Sequence, residues 1–239
     1  MINKLPIGTF INMLTIIIGS FIGLWLQQAF PESIKVIVFQ AIGLGTLLIG
    51  IQMGLKMPDG YLLILIFSLI IGGIMGELLQ IDQLLQNLGL QLKEILNIGD
   101  KKFTEGLITT SLLFCVGSMV IVGAIEEGIS GNRELLMVKS TLDGITSIAF
   151  ASTYGVGVLF SIFPMVLIQG GITILAKQMQ HFFTETIIAQ ISAVGGLLIL
   201  GIGINLLELG RINIENLLPS LLVVIFFTWI FDKWKKQNA

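Results

Sequence analysis

An aspartate and several hydroxyl-bearing side chains recur at helical spacing within residues 139–154, KSTLDGITSIAFASTY. At about 100° per residue, one face of a helix here carries Ser140, Asp143, Ser147 and Tyr154. Long apolar sequence flanks the stretch on both sides, so we expect this helix to lie within a membrane. A carboxylate in such a place usually faces the interior of a helix bundle or a water-filled cavity. Asp143 is therefore the leading candidate for a functional ionisable group.

Two interpretations of this aspartate stay open at the level of the sequence. As the centre of a transport pathway, Asp143 would hold a proton or a sodium ion, and Ser140 and Ser147 would offer hydroxyl oxygens as ligands to sodium. Alternatively, Lys139 lies four positions before Asp143 and could neutralise the carboxylate as an i,i+4 neighbour. The pair would then be structural.

Two further polar side chains join the candidates. Asn12 lies on the glycine-rich face of the first apolar segment, where an amide either hydrogen-bonds to a neighbouring helix or contributes to a site. Glu126 follows a polar seam on the fourth apolar segment, which also carries Thr104, Ser111 and Cys115. We expect Glu126 to be a gate or a second ion site, although adjacent glutamates at a membrane boundary are usually solvated.

The composition indicates an integral membrane protein and excludes several function classes. Of 239 residues, 54% are hydrophobic and 12% are charged, against about 25% charged in soluble domains. With one cysteine, Cys115, and one histidine, His181, we expect neither a metal site nor a cofactor. No basic surface suits nucleic acid. An intramembrane protease would need a Ser/His pair or an HExxH motif, so we expect no enzymatic activity.

Apolar segments of about 20 residues, long enough to cross the hydrocarbon, predict an all-α polytopic fold with one transmembrane domain, 1–239. Spans are expected near 6–26, 35–56, 60–80, 104–125, 157–176, 184–206 and 214–231. The amphipathic stretch 82–102 predicts a helix in the membrane interface or a linker helix packed on the bundle. The polar segment 139–155 either crosses the membrane, which gives about eight crossings, or forms a re-entrant half-helix, which gives about seven.

An internal repeat of three helices is also expected. Residues 195–205, GGLLILGIGIN, resemble 42–52, IGLGTLLIGIQ, which suggests that 1–80 and 163–232 are distant copies. Eight crossings would make the repeat inverted, and seven would make it parallel. Both counts place the lysine-rich C-terminus in the cytoplasm by the positive-inside rule.

Glycines on the apolar segments predict where helices pack closely, because small residues let backbones approach one another. The predicted contact faces contain Gly8, Gly19 and Gly23 in the first segment, Gly43, Gly50 and Gly54 in the second, and Gly196 and Gly203 near the end of the chain.

Two central blocks, FCVGSMVIVGAIEEGISGN at 114–132 and KSTLDG at 139–144, resemble the YdfK/YqgA family of bacterial inner-membrane proteins. The opening GTFIN and the later YGVGVLFSIFP and IQGG are similar to that family as well, so the resemblance runs from end to end. It implies a polytopic protein of the bacterial inner membrane whose activity is uncharacterised and for which transport is suspected. The family pattern includes positions matching Asn12, Lys139 and Asp143, but it implies no ligand role for them.

Two functions compete on these observations. A secondary transporter or ion-conducting membrane protein explains the polar stripe around Asp143; its partners would be the lipid bilayer, a proton or sodium ion and an unknown small solute. The alternative is a membrane scaffold or regulatory protein without transport activity, in which Asp143 is structural. Either protein is compatible with a homo-oligomer.

Overall fold

The computed structural model describes residues 5–29, 31–95 and 102–237, and all regular structure in these ranges is helical, as predicted. The helices are α1 (Ile7–Ala29), α2 (Glu32–Gly54), α3 (Leu62–Leu78), α4 (Ile81–Ile95), α5 (Phe103–Cys115), α6 (Ser118–Ser130), α7 (Glu134–Tyr154), α8 (Gly157–Phe160), α9 (Ile162–Met165), α10 (Gly171–Met179), α11 (Glu185–Leu206), α12 (Ile214–Leu217) and α13 (Ser220–Gln237), with a π-helical segment, Val166–Gly170, between α9 and α10.

The described residues contain five helices long and apolar enough to cross a membrane, or up to seven if each bent pair counts as one span. The five are Ile7–Ala29, Val36–Gly54, Gly157–Gln178, Glu185–Leu206 and Ile214–Lys235. The bent pairs are α3 with the beginning of α4, at 58°, and α5 with α6, at 56°. The 21-residue helix α7 is the additional segment in the count of eight, and its polar composition sets it apart from these candidates.

The expected span 104–125 is not one continuous helix. Helix α5 ends at Cys115, Val116 is extended (φ −104°, ψ 120°) and Gly117 has φ 152°, a conformation that favours glycine. Helix α6 then begins at Ser118 and continues to Ser130. Gly128 lies inside α6, whereas Gly131 ends it with φ 75°.

The chain divides into two compact units, and each combines segments distant in sequence. Unit 1 comprises 1–42 and 87–182, and unit 2 comprises 43–86 and 183–239. The boundaries at 42/43 and 86/87 fall inside α2 and α4, so no change of composition marks them in the sequence. The amphipathic helix expected at 82–102 is α4, Ile81–Ile95; residues 96–101 lie outside the described residues.

In unit 1, α1 and α7 are parallel and touch through their backbones. A Cβ on Gly19 would lie 2.2 Å from the Gly144 carbonyl oxygen, and one on Gly23 would lie 2.4 Å from that of Ile148. Near the other end of α1, a Cβ on Gly8 would lie 2.6 Å from Leu136. The prediction of a tight contact face on α1 is confirmed, and its partner is the helix that carries Asp143.

In unit 2, α2 and α11 are antiparallel and equally close. A Cβ on Gly43 would lie 2.7 Å from the Leu207 side chain, whereas one on Gly50 would lie 2.6 Å from the Leu200 backbone nitrogen. A Cβ on Gly196 would likewise lie 2.6 Å from the Gly54 backbone nitrogen. The predicted faces on these two helices therefore contact each other.

Helix α3 packs on α12 and α13, also in the antiparallel sense. A Cβ on Gly72 would lie 2.4 Å from the Ser220 Cα, and one on Gly76 would lie 1.9 Å from the Asn216 carbonyl oxygen. The start of this pair is held by Tyr61, whose hydroxyl donates to Asp232 of α13. Both of these helix contacts in unit 2 are antiparallel.

Candidate functional site

The centre of unit 1 holds a buried ion pair on α7. Lys139 Nζ donates to Asp143 Oδ2 one helical turn away, and the two residues are only 5% and 7% exposed. The Asn12 side-chain amide of α1 donates to the same carboxylate oxygen over 2.8 Å. The close backbone contact of α1 with α7 brings this amide within reach. Lys139 and Asn12 therefore both donate to the same oxygen, Oδ2.

The π-helical segment adds a third element to this cluster. Asn12 Nδ2 also donates to Gln169 Oε1 over 3.1 Å, and Gln169 Nε2 donates to the Thr9 hydroxyl over 3.2 Å. Asn12 and Gln169 are both fully buried, and Thr9 is 1% exposed. π-Helical turns occur frequently at functional sites, and Pro164 just upstream lacks the backbone N–H that a regular helix uses. We call Thr9, Asn12, Lys139, Asp143 and Gln169 the Asp143 cluster.

The break in the α5–α6 pair lies beside this cluster. Phe114 and Cys115, the last residues of α5, are buried against Ile16 of α1 and Met165. Lys139 Nζ is 6.0 Å from the centroid of the Phe114 ring. Non-helical backbone at membrane depth is tolerated only when it is buried in protein or lines a cavity. Two departures from α-helix, the break and the π segment, therefore meet in the region of the ion pair.

The serines of the predicted stripe are buried but bond to their own helix. Ser140 donates to the Leu136 carbonyl and Ser147 to the Asp143 carbonyl, both over 2.7 Å. Donation of this kind uses the hydroxyl proton and leaves oxygen lone pairs. The two serines can therefore offer oxygen to a cation, but they do not donate to the Asp143 carboxylate.

Tyr154 lies apart from the Asp143 cluster. It is 1% exposed and stacks on Phe150 with ring centroids 5.9 Å apart, and its hydroxyl interacts with Glu105 and Thr109 of α5. Tyr154 follows Asp143 by eleven positions, which is about 16 Å along a helix axis. The structure therefore brings Asn12 to the Asp143 carboxylate and buries Ser140 and Ser147 on the same helix, whereas Tyr154 packs at the far end of α7.

Of the two adjacent glutamates, the buried one is Glu127. Glu126 is half-buried, and its Oε2 accepts from Asn132 at 3.4 Å. Glu127 is 1% exposed and accepts from the Gly8 backbone N–H and from Arg133 Nε, each at 2.8 Å. The prediction of Glu126 assumed one continuous helix over 104–126, on which Glu126 shares a face with Thr104 and Ser111. The break at 116–117 changes the direction of that face, so the assumption fails. Glu126 is not near the Asp143 cluster by any contact that the structure shows.

Sequence reasoning missed Thr9 and Gln169. Each lies in a segment of mostly small and apolar residues, which hides a single polar side chain. The two bond each other across more than 150 positions of the chain, so no local pattern joins them. The IQGG block and Pro164 were the available signals. Among the described residues, no group of three or more His, Cys, Asp or Glu side chains could hold a metal ion.

Comparison with known proteins assigns the chain to a family. Residues 7–229 match the family described as "Protein of unknown function (DUF554)". The "Uncharacterized membrane protein YdfK" of Bacillus subtilis (strain 168) is 36% identical over 230 residues, which cover 94% of this chain and 97% of that protein. The "Uncharacterized protein YqgA" of Escherichia coli (strain K12) is 29% identical over 233 residues, with 95% and 98% covered. No solved structure matches the chain. The predicted resemblance is confirmed, and the chain belongs to the DUF554 family of membrane proteins.

Proposed function

We propose that the protein is a secondary transporter or ion-conducting protein in which the Lys139–Asp143 pair exchanges its internal cation for a proton or a sodium ion. One observation carries the proposal: a nearly inaccessible ion pair lies beside a helix break and a π-helical segment. Ionisable residues inside membranes are expensive and usually mark ion pathways or relays. Broken helices are also common at the binding sites of secondary transporters.

The geometry suggests how such an exchange would work. Lys139 and Asn12 both bond Oδ2 of Asp143, so an arriving cation would bind first on the side of Oδ1. Ser140 and Ser147 would then contribute lone pairs from the same helix face. Once a cation or proton neutralises Asp143, the buried Lys139 ammonium loses its counter-charge, which is strongly unfavourable. This penalty would drive the rearrangement that alternating access requires.

We further propose that the chain crosses the membrane eight times. Parallel helices are separated by an odd number of crossings, and antiparallel helices by an even number. Helices α2 and α11 are antiparallel, as are α3 and α13. If each bent pair crosses as one span, both pairs of helices meet this condition only when α7 crosses as well. The parallel contact of α1 with α7 agrees, since α2, α3 and the α5–α6 pair lie between them. The two sets of three helices would then have the opposed directions of an inverted repeat.

We place the protein in the bacterial inner membrane, with the C-terminus in the cytoplasm. The B. subtilis relative is called a membrane protein. The lysines after the last span, Lys233, Lys235 and Lys236, follow the positive-inside rule.

A scaffold or regulatory role is favoured by one specific observation. Lys139 already neutralises Asp143 in the structure, so the pair could serve only to hold α7 in place. Removing one partner of a buried pair costs about 3–5 kcal/mol, whereas replacing both is often neutral. The two functions therefore predict different behaviour of the same variants.

The test uses purified protein in proteoliposomes under imposed proton and sodium gradients. We expect Asp143→Asn to fold, with a stability lower by about 3–5 kcal/mol because Lys139 loses its partner. It should also lose at least about tenfold of the cation flux, because it keeps the shape of the side chain but not the charge. Asp143→Glu should keep part of the flux. The control is Glu134→Gln, which removes an exposed carboxylate at the start of the same helix.

Two results would contradict the transport proposal. One is normal flux in Asp143→Asn. The other is a wild-type protein without flux, combined with an Asp143→Asn variant that misfolds and a Lys139→Met, Asp143→Asn double variant that folds again. The second result would assign the pair to structure and favour the scaffold.

A further inference from the structure

A second buried carboxylate in unit 1, Glu127, is linked to the Asp143 cluster. Its Oε1 accepts from the Gly8 N–H in the first turn of α1 and from Arg133. Unpaired N–H groups at a helix start favour a negative charge there. Oε2 of Glu127 is buried and has no hydrogen-bond partner in the part of the chain that the structure describes. An acceptor left unpaired in this way is unfavourable, so helix capping alone does not account for Glu127.

Hydrogen bonds, together with the adjacency of Gly8 and Thr9 in the chain, connect this carboxylate to Asp143. Glu127 bonds Gly8, and the next residue, Thr9, accepts from Gln169. Gln169 in turn accepts from Asn12, which donates to Asp143. Each side chain in this series is at most 7% exposed. The series follows the inner face of α1 from its first turn to the middle of unit 1.

At the outer end of the series, a partly exposed side chain pairs with Glu127. Arg133 lies between α6 and α7, and 32% of its side chain is exposed, against 1% for its partner Glu127. An arginine in this position separates the buried carboxylate from water. Movement of Arg133 would therefore expose Glu127 toward the side of the membrane where α1 begins.

We infer that Glu127 and Arg133 form the gated first station of the ion route to Asp143: Glu127 takes the proton or sodium ion, and Arg133 closes the access. The inference rests on the proposed transport function and adds the side of access, the second carboxylate and the gate. Under the eight-crossing topology this side is the cytoplasm.

Chemical labelling tests the gate without measuring transport. In a Cys115→Ala background, Thr9→Cys places the sole thiol on the route, and Phe10→Cys places it at the same depth on the outer face, where Phe10 is 44% exposed. A membrane-impermeant methanethiosulfonate reagent reacts with the hydrated thiolate. It is applied to inside-out and right-side-out vesicles containing the full-length protein.

We expect slow labelling of Thr9→Cys when Glu127 and Arg133 are both unchanged. Addition of Arg133→Met should accelerate the labelling by about tenfold, and only from the cytoplasmic face; Phe10→Cys should not respond. Since Arg133→Met leaves Glu127 without its counter-charge, the pair Glu127→Gln with Arg133→Met serves as the neutral variant and should give the same acceleration.

Unchanged labelling in the neutral variant, or equal labelling from both faces, would overturn the gate. Flux measurements distinguish this failure from failure of the proposed function. If Asp143→Asn abolishes flux while Glu127→Gln leaves it normal, the transport function stands and Glu127 is not its station. If labelling of Thr9→Cys accelerates as expected but the wild-type protein carries no flux, the route exists and the transport proposal fails.

Discussion

At the scale of single residues, the Asp143 carboxylate is held by one charged and one neutral donor. Lys139 comes from the same helix, whereas Asn12 comes from α1 and also bonds Gln169. Asn12 is therefore the residue that connects three elements of unit 1. Its own Oδ1 is buried and has no hydrogen-bond partner among the described residues, which leaves one acceptor inside the cluster for a water molecule or an ion.

Asn12→Ala tests this connecting role. The substitution removes the donor to Asp143 and to Gln169, and we expect a loss of about 1–2 kcal/mol in stability. This lies between the average for hydrogen bonds in membranes, about 0.6 kcal/mol, and that for bonds to charged groups, about 1.5–3 kcal/mol. Thermal unfolding in detergent measures it. Thr141→Ala is the control, since its exposed hydroxyl bonds the Met137 carbonyl of its own helix. Equal melting temperatures for the two variants would contradict the role.

Sequence reasoning could place Asp143 on a polar face, because helical spacing depends only on neighbours in the chain. It could also name Lys139 as a partner, because an i,i+4 pair is local. The contacts with Asn12 and Gln169 join residues 131 and 157 positions apart. No local pattern contains such contacts, so the rest of the cluster required the structure.

At the scale of helices, the packing in both units depends on glycines that allow backbones to touch. Two substitutions test this in unit 2, Gly50→Leu and Gly203→Leu. A Cβ at either position would lie within 3 Å of backbone or side-chain atoms of the facing helix, so α2 and α11 would have to separate. We expect a loss of about 3 kcal/mol, the upper end for overpacking, and a lower folded yield in detergent.

The matched control for these variants is Gly45→Leu. Gly45 lies on the same helix as Gly50, is exposed, and a Cβ added there would meet no atom within 4 Å. This variant also introduces leucine into α2 but should fold normally. Normal yield and melting temperature in all three variants would show that α2 and α11 do not pack through this face.

The helices themselves were largely predictable, because apolar segments of spanning length are read directly from composition. The irregular positions were not. Apolar residues continue across Val116 and Gly117 and across Val166–Gly170, so hydropathy alone does not reveal the break or the π segment. Gly117 and Pro164 mark them only after the structure shows how the backbone departs from the α-helix.

At the scale of the whole molecule, the division into two units is the feature that sequence reasoning did not predict. Each unit joins an early part of the chain to a late part, and its helices meet through side chains that are far apart in sequence. The Asp143 cluster and the inferred gate both lie within unit 1. Unit 2 holds the two antiparallel contacts that bear on the number of crossings. The directions of the packed helices thus favour eight crossings over seven, a choice that the distribution of charges could not make.

The eight-crossing topology makes a direct prediction about the two ends of the chain. Because an even number of crossings returns the chain to its starting side, both termini should be cytoplasmic, with Lys233, Lys235 and Lys236 following the positive-inside rule. Fusions of a fluorescent protein that matures only in the cytoplasm should be bright at either end. Alkaline phosphatase, active only in the periplasm, should be inactive at the C-terminus and active when fused within the loop between α1 and α2. A bright C-terminal fusion combined with a periplasmic N-terminus would mean an odd number of crossings. In that case α7 would not cross the membrane, and the antiparallel contact of α2 with α11 would lose its explanation.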